Sequence, residues 1–300
     1  MSSSSASILG IDLGGTKTAL TLFDAATIVP RTSQSFPTEA SEGLAAVQDR
    51  LLKAVKLICA PDTVAIGLGV PGFINPKTKH VISMPNIPGS DNVDIRQWLT
   101  SAIGLPVTIE NDARCFTYAE ALLGAGKGHP IVLGVTLGTG VGGGIAIDGT
   151  LFHGGHGHAG EVGHALLMPG QPPYPTEDRR GDVEQFLSGT AMGKRCEAAR
   201  RPQDYLEGHV CSFLQPEVIR EVAWFIVNAM HFIDPSIVVF GGSTGRALNT
   251  HLSTIEKEVS AWLLPGVKPP ELACGVLVDA AVRGAALLAA ADTVPPTKFP

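Results

Sequence analysis

The chain has 300 residues, enough for two domains of ordinary size or one large one. With 44% hydrophobic residues it can bury sizeable cores, and a formal charge of −6 without a Lys/Arg cluster argues against general nucleic-acid binding. Five cysteines, odd in number, widely spaced and without a C-x-x-C, argue against a disulfide framework or a thiolate zinc site, so a reduced, cytoplasmic setting is expected.

The first strand is expected from about residue 6, which on this reading leaves no room for a signal peptide. Residues 7–35 read as three successive strands, with turns at Gly14-Gly15 and near Asp24-Ala25-Ala26. Residues 42–60 have helical spacing, with Leu44, Val47, Leu51, Val55 and Ile58 on one stripe. Residues 64–70 form an apolar run of buried-strand type, stopped by Pro71-Gly72. A short helix is predicted over 95–103 and a short strand over 107–110. Asn111-Asp112 then stands before a helix from about 113 to 123, closed by Gly124.

The second half repeats the plan. Strands are predicted at 131–137, 142–147 and 150–153, followed by a polar, proline-rich excursion over 169–182. The stretch 131–147 is apolar, but its six glycines suit a strand–turn–strand and it is short for a bilayer crossing, so no membrane association is expected. Helices at 183–199 and 216–233, a strand at 236–240, a close turn at Gly241-Gly242-Ser243 and a helix near 246–264 complete it. Recurrence of strand, hairpin and helix implies a duplicated α/β unit with two domains around a central cleft. The expected division is a smaller N-terminal domain, 1–112, and a larger one, 113–300. An apolar helix at about 280–291 is expected to pack back on the first.

Two turns carry the first functional signal. Residues 8–18, Ile-Leu-Gly-Ile-Asp-Leu-Gly-Gly-Thr-Lys-Thr, deliver Asp12 into Gly14 and Gly15 and then Thr16 and Lys17. Glycines let backbone N–H groups approach phosphate oxygens closely, Lys17 adds a mobile positive charge, and Asp12 is suited to hold Mg²⁺. A second glycine turn, Gly138-Thr139-Gly140 continuing to Gly144, again follows an apolar run. Two such turns point to two similar halves binding one nucleotide, in an ATP-using phosphotransferase.

Competing readings are weaker. G-x-G-x-x-G occurs three times, at Gly67, Gly138 and Gly155, but a chain with 35 glycines makes such matches easily and none is a strand–turn–helix followed by an acid. No Walker-A motif occurs. Glu110-Asn111-Asp112 is the best catalytic candidate: Asp112, at a helix N-terminus, is suited to accept the proton of an attacking hydroxyl while Asn111 binds a neighbouring one. The plain alternative is that Asp112 only caps the helix. His153, His156, His158 and His164 fall within twelve residues, but glycine-broken spacing and no nearby cysteine disfavour a metal site. Glu161 and His164 are suited to hydrogen-bond sugar hydroxyls.

Together these segments resemble the ROK family of bacterial sugar kinases. The resemblance is carried by Asp12–Lys17, Gly69-Val-Pro-Gly72, Glu110–Ala113, Leu137–Gly144, Gly157–His164, Glu184–Gly189 and Asp234–Gly242, in order along the chain. It implies a duplicated, actin-like (ribonuclease H-like) ATPase fold and transfer of the γ-phosphoryl group of ATP to the 6-hydroxyl of a hexose. Glucose or N-acetylglucosamine leads, with a fructo/mannokinase as the alternative. By residue-wise carry-over Asp112 is the general base, and Gly72, Asn111, Glu161, His164 and Glu184 bind the sugar. Asp12 with Mg²⁺, Gly14, Gly15, Thr16, Lys17, Gly138, Thr139 and Gly140 face the phosphates, and Gly241 and Gly242 the adenosine.

A homodimer is what the family implies. A sugar-responsive repressor of the same fold is disfavoured, because the phosphate strand begins near residue 7 and the chain is acidic. ATP stands as donor over polyphosphate, since few lysines lie in these motifs. The sequence departs from the family in one stretch. Zinc-containing members follow the signature histidine with C-x-C-G-x-x-G-C, and here the thiolate positions are Pro175, Glu177 and Asp182. No structural zinc is expected, His164 should be held by other hydrogen bonds, and the 169–182 loop should be more mobile. Arg114, where many relatives carry asparagine, is a second departure.

Overall fold

The computed structural model describes residues 6–207 and 210–293. Within them the chain forms two compact units. One takes residues up to 119, with 154–157 and 279 onward; the other takes 120–153 and 158–278.

In the first unit β1 (Ser7–Leu13) and β2 (Lys17–Asp24) form a hairpin extended by β3 (Pro30–Pro37). Helix α1 (Leu44–Ile58) leads to β4 (Thr63–Val70), and a small hairpin of β5 (Phe73–Ile74) and β6 (Val81–Ser83) follows. After α2 (Ile95–Ile103), β7 (Val107–Asn111) runs straight into α3 (Asp112–Leu123). The sheet order is β3-β2-β1-β4-β7, with β1, β4 and β7 parallel.

Both faces of this sheet are covered, which explains why β1 and β4 are apolar almost throughout. Leu9, Ile11 and Leu13 pack into one core with Val47, Leu51, Val55 and Leu99. On the other face Gly10 and Gly67 lie flush against the C-terminal helix (Ala280–Thr293). A Cβ on either would collide with the carbonyl oxygens of Val282 and Ala285 respectively. Gly67, which opens the first G-x-G-x-x-G, is therefore a packing glycine.

The second unit repeats the frame. Strands β8 (Ile131–Leu137), β9 (Val141–Ile147) and β10 (Thr150–Leu151) precede helices α4 (Val183–Leu187), α5 (Gly189–Arg195), α6 (Pro202–Leu206) and α7 (Leu214–Phe232). Then come β11 (Ile237–Gly241), α8 (Gly242–Ala247), α9 (Leu252–Trp262) and β12 (Glu271–Cys274). The sheet order β10-β9-β8-β11-β12 matches the first sheet strand for strand, with β8, β11 and β12 parallel. Its core joins Leu133, Val135 and Leu137 to Val218, Val222, Phe225 and Ile226 of α7.

Three expectations change here. The helix over 183–199 is two short helices, because Ser188 ends one and starts the next, its Oγ accepting from Ala191 N at 3.0 Å. The helix near 246–264 begins at Gly242 and breaks at Leu248 into a 3₁₀ turn before α9. And the cysteines are not all free. Cys196 at the end of α5 is disulfide-bonded to Cys211 just before α7, with Cα atoms 6.4 Å apart, while Cys59, Cys115 and Cys274 are thiols. Spacing alone hid this pair, which only the α5–α6–α7 turn brings together. Among the described residues no helix is long and apolar enough to cross a membrane.

Candidate active site

In the first unit the acids gather where β1, β4 and β7 end. Asp12 lies on β1 opposite Gly69 of β4, and Gly69 lies opposite Glu110 of β7. A Cβ on Gly69 would be in ordinary contact with Ile11 O at 3.4 Å, Cys115 Sγ at 3.5 Å and Asp112 Cα at 3.7 Å, so α3 begins close against β4. Asp12 is half-buried, and its carboxyl is pushed up to about 7 by burial and by the charge of Asp112, with Lys17 opposing. The Cys115 thiol is held well above its usual range by burial and by the charges of Glu110, Asp112 and Asp12. That thiol is inert, and it reports three carboxylates around one point.

The β7–α3 junction divides its work between two residues. Asn111 Oδ1 accepts from Ala113 N at 3.0 Å and Arg114 N at 3.2 Å, and its Nδ2 donates to Gly72 O at 3.1 Å. Asn111 is thus the helix cap, and the helix does not require Asp112 for that purpose. Asp112 Oδ1 accepts from the adjoining Ala113 N at 2.8 Å. Gly72 is held at φ +102°, where a Cβ would strike Ser83 O, so its carbonyl is fixed toward Asn111. Arg114, buried beside Glu110 at 3.5 Å, donates to Gly157 O at 2.6 Å, which gives that departure from the family a structural task.

The first glycine turn closes with Gly14 N donating to Lys17 O at 3.2 Å. Thr38 Oγ1 donates to Gly14 O at 2.6 Å and lies 2.8 Å from the buried Thr18 Oγ1. Thr16 and Lys17 are exposed beside it, and Gly15 has Asn86 as its neighbour.

In the second unit the turn between β8 and β9 closes with Gly138 N donating to Gly140 O at 3.0 Å. It is gripped from α4 and α5. Glu184 Oε2 accepts from Val141 N at 2.8 Å, Gly189 N donates to Gly138 O at 2.7 Å, and Thr190 donates to Thr139 O through Oγ1 at 2.9 Å. A Cβ on Gly140 would stand 2.7 Å from Glu184 Oε2, whereas one on Gly138 would meet nothing within 4 Å. Gly138 is therefore open toward whatever the turn binds.

Beside it lies a cavity of about 330 Å³ lined by Gly138, Thr139, Thr190, Arg200, Arg201, Tyr205, Ser243 and Thr244. Gly241 and Gly242 do not line it. Gly242, at φ +75°, abuts Leu137 O and places the next two residues, Ser243 and Thr244, on the wall. Sequence reasoning missed Thr190, Arg200, Arg201 and Tyr205. Arg200-Arg201 was readable only as an isolated pair, and nothing in the chain order ties it to residue 138.

The glycines after the turn have another use. A Cβ on Gly143 would stand 2.8 Å from Gly160 O, and one on Gly160 2.8 Å from Gly144 Cα. Gly143 and Gly144 thus let residues 160–163 lie close on β9, where the 3₁₀ turn Val162–His164 follows Glu161. His164 Nδ1 lies 3.7 Å from Asp182 Oδ2. The excursion predicted to be mobile is tied at both ends: Leu167 N donates to Gly181 O at 2.8 Å, Gly170 N to Arg179 O at 3.0 Å, and Val183 N to Ala165 O at 2.9 Å. Among the described residues no group of three His, Cys, Asp or Glu side chains is placed to hold a metal ion.

Known proteins are similar to this chain in sequence and fold. The ROK family profile matches residues 8–292. N-acetyl-D-glucosamine kinase of Erwinia tasmaniensis is 31% identical, over 93% of this chain and 98% of its own. The crystal structure of the ROK hexokinase from Thermus thermophilus superposes with a TM-score of 0.79 at 30% identity, over 94% of this chain and 97% of the other. A ROK family glucokinase from Streptomyces griseus, solved with glucose and AMPPNP, does so with a TM-score of 0.74 at 28% identity, over 95% and 99% of the two chains. With sequence, sheet order and these likenesses in agreement, the chain belongs to the ROK family.

Proposed function

We propose that this protein is an ATP-dependent hexose kinase that phosphorylates the 6-hydroxyl of glucose or N-acetylglucosamine, with Asp112 as general base. The observation that carries this reading is the division of labour at the β7–α3 junction. Asn111 caps the helix, so Asp112 stands at its first turn for some other purpose. A carboxylate at a helix start is held in its basic form by the helix dipole and is suited to take the proton of an attacking hydroxyl.

Asp12 is the residue to hold Mg²⁺. Its carboxyl is destabilised by burial and by Asp112, with Lys17 opposing only in part, and a dication would offset the remainder. When bound, Mg²⁺ neutralises phosphate charge during transfer. Gly14, Gly15, Thr16 and Lys17, and Gly138, Thr139 and Gly140, would meet the phosphates. The cavity below Ser243 and Thr244, placed there by Gly241 and Gly242, would take the nucleoside. Gly72, Asn111, Glu161, His164 and Glu184 would orient the sugar. Gly72 acts through its carbonyl on Asn111, and Glu184 has one oxygen on Val141 N and a second for a hydroxyl. We place the reaction in the cytoplasm, where ATP is, and expect a homodimer by sedimentation.

The test is purified protein with Mg²⁺ and ATP against a panel of hexoses and acetylhexosamines, read by coupled ADP release, with polyphosphate as a second donor. Turnover of glucose or N-acetylglucosamine with ATP is expected. Absence of turnover on every sugar would sink the assignment.

A further inference from the structure

Asp182 is 1% exposed, yet its Oδ2 has no hydrogen-bond partner, an uncommon state for a buried carboxylate oxygen. Its Oδ1 is engaged, capping α4 by accepting from Gln185 N at 3.0 Å. The neighbours of Oδ2 are charged or polar: Arg180 Nη1 at 3.3 Å and His164 Nδ1 at 3.7 Å. The His164 side chain is 40% exposed.

The chain is built to hold this pair together. Residues 164–168 and 179–183 are zipped by backbone bonds, Val183 N to Ala165 O at 2.9 Å, and Leu167 N and Met168 N to Gly181 O at 2.8 and 2.9 Å. Gly181, at φ +63°, turns where a Cβ would strike Met168 O, and its N–H donates to Gln185 Oε1 at 2.7 Å. Gln185 Nε2 in turn donates to Asp178 O at 2.8 Å. Arg180, paired with Asp178 at 2.8 Å, covers the carboxylate from the solvent side.

We propose that Asp182 is a positioning residue for His164: its buried oxygen holds the ring proton on Nδ1, so that Nε2 offers a lone pair to a sugar hydroxyl. An anion close to one ring nitrogen favours the tautomer with the proton on that nitrogen, and the other becomes an acceptor. Arg180 balances the buried charge at 3.3 Å, and contacts of this kind shorten when substrate closes on them. The inference rests on the reading of His164 as a sugar ligand.

Asp182→Asn tests it sharply. Asparagine caps a helix as well as aspartate does, so its oxygen keeps Gln185 N and its NH₂ takes the place of Oδ2. The group facing Nδ1 then becomes a donor, which reverses the preferred tautomer. ¹⁵N-edited NMR at pH 8.5, with His164 assigned by loss of its signals in His164→Gln, reads the tautomer in the sugar-free protein. Expected are Nδ1–H in the wild type, Nε2–H in Asp182→Asn, and a sugar KM raised about tenfold with the ATP KM within about twofold. Nε2–H or a charged ring in the wild type overturns the proposal even if the variant does not fold, and so does an unchanged sugar KM in a folded variant. Should the wild type turn over no hexose, the functional reading fails while the tautomer measurement still stands by itself.

Discussion

The β1–β2 and β8–β9 turns occupy the same place in two sheets of the same order, and they differ in charge and in bracing. The next-to-last residue of β1 is Asp12, half-buried with its carboxyl raised to about 7; the corresponding residue of β8 is Thr136, uncharged. The first turn is braced from β3's end by Thr38 alone, whereas the second is held by Glu184, Gly189 and Thr190. One copy of the frame concentrates charge and the other builds shape. A duplicated fold can thus carry different local chemistry in its two copies without changing strand order.

The largest effect expected from this contrast is at Asp12. Asp12→Asn should lower kcat by about 10²- to 10³-fold, while Thr136→Ala changes it by no more than a few fold. The two should also separate in stability. Because the folded-state pKa of Asp12 lies above its usual 3.8, its contribution is fully present below about pH 4 and is lost as pH rises through about 7. Ligand-free Asp12→Asn should therefore exceed the wild type at pH 8 by about 2 kcal/mol, discounted for partial exposure, and match it at pH 4. Calorimetric Tm values at the two pH values check this, and a wild type that outlasts the variant at pH 8 breaks the account of Asp12.

Next is the second turn's shape. Gly242→Ala, at φ +75° and against Leu137 O, should destabilise by about 3 kcal/mol. Gly138→Ala has open space and should stay within about 0.5 kcal/mol while raising the ATP KM. Urea melts paired with ATP titrations separate the two. If Gly138→Ala leaves ATP affinity unchanged, the turn does not meet phosphate.

A comparable effect on stability alone is expected at the brace behind that cavity. Loss of the Cys196–Cys211 bond, which closes a loop of 15 residues, should cost up to about 3 kcal/mol. Reduced wild type and Cys196→Ser should melt together, below the oxidised protein. Equal Tm with and without reductant would show that the bond does not contribute.

Most strands and the acid-rich junction at 110–112 were legible because each rests on local signals. Buried apolar runs ended by glycine turns mark β1, β4, β8 and β11, and Glu110-Asn111-Asp112 sits at a strand–helix boundary. What stayed hidden depends on neighbours distant in sequence. The roles of Asn111 and Asp112 separate only once Gly72 is seen to anchor Asn111 Nδ2. The glycines at 142–144 read as one phosphate motif with Gly138, but Gly143 and Gly144 serve the contact with Gly160. The break at Ser188 was readable in principle, since Asp182 and Ser188 are both capping residues three positions before a bonded N–H.

The most direct test of the account is Asp112→Asn under saturating Mg²⁺ and ATP, with sugar affinity measured separately by calorimetry. The account expects kcat to fall about 10²-fold or more while the sugar Kd stays within about threefold, because the amide keeps the shape and loses the base. Near-normal turnover by that variant would contradict it, and would return Asp112 to the role of an ordinary residue at a helix start.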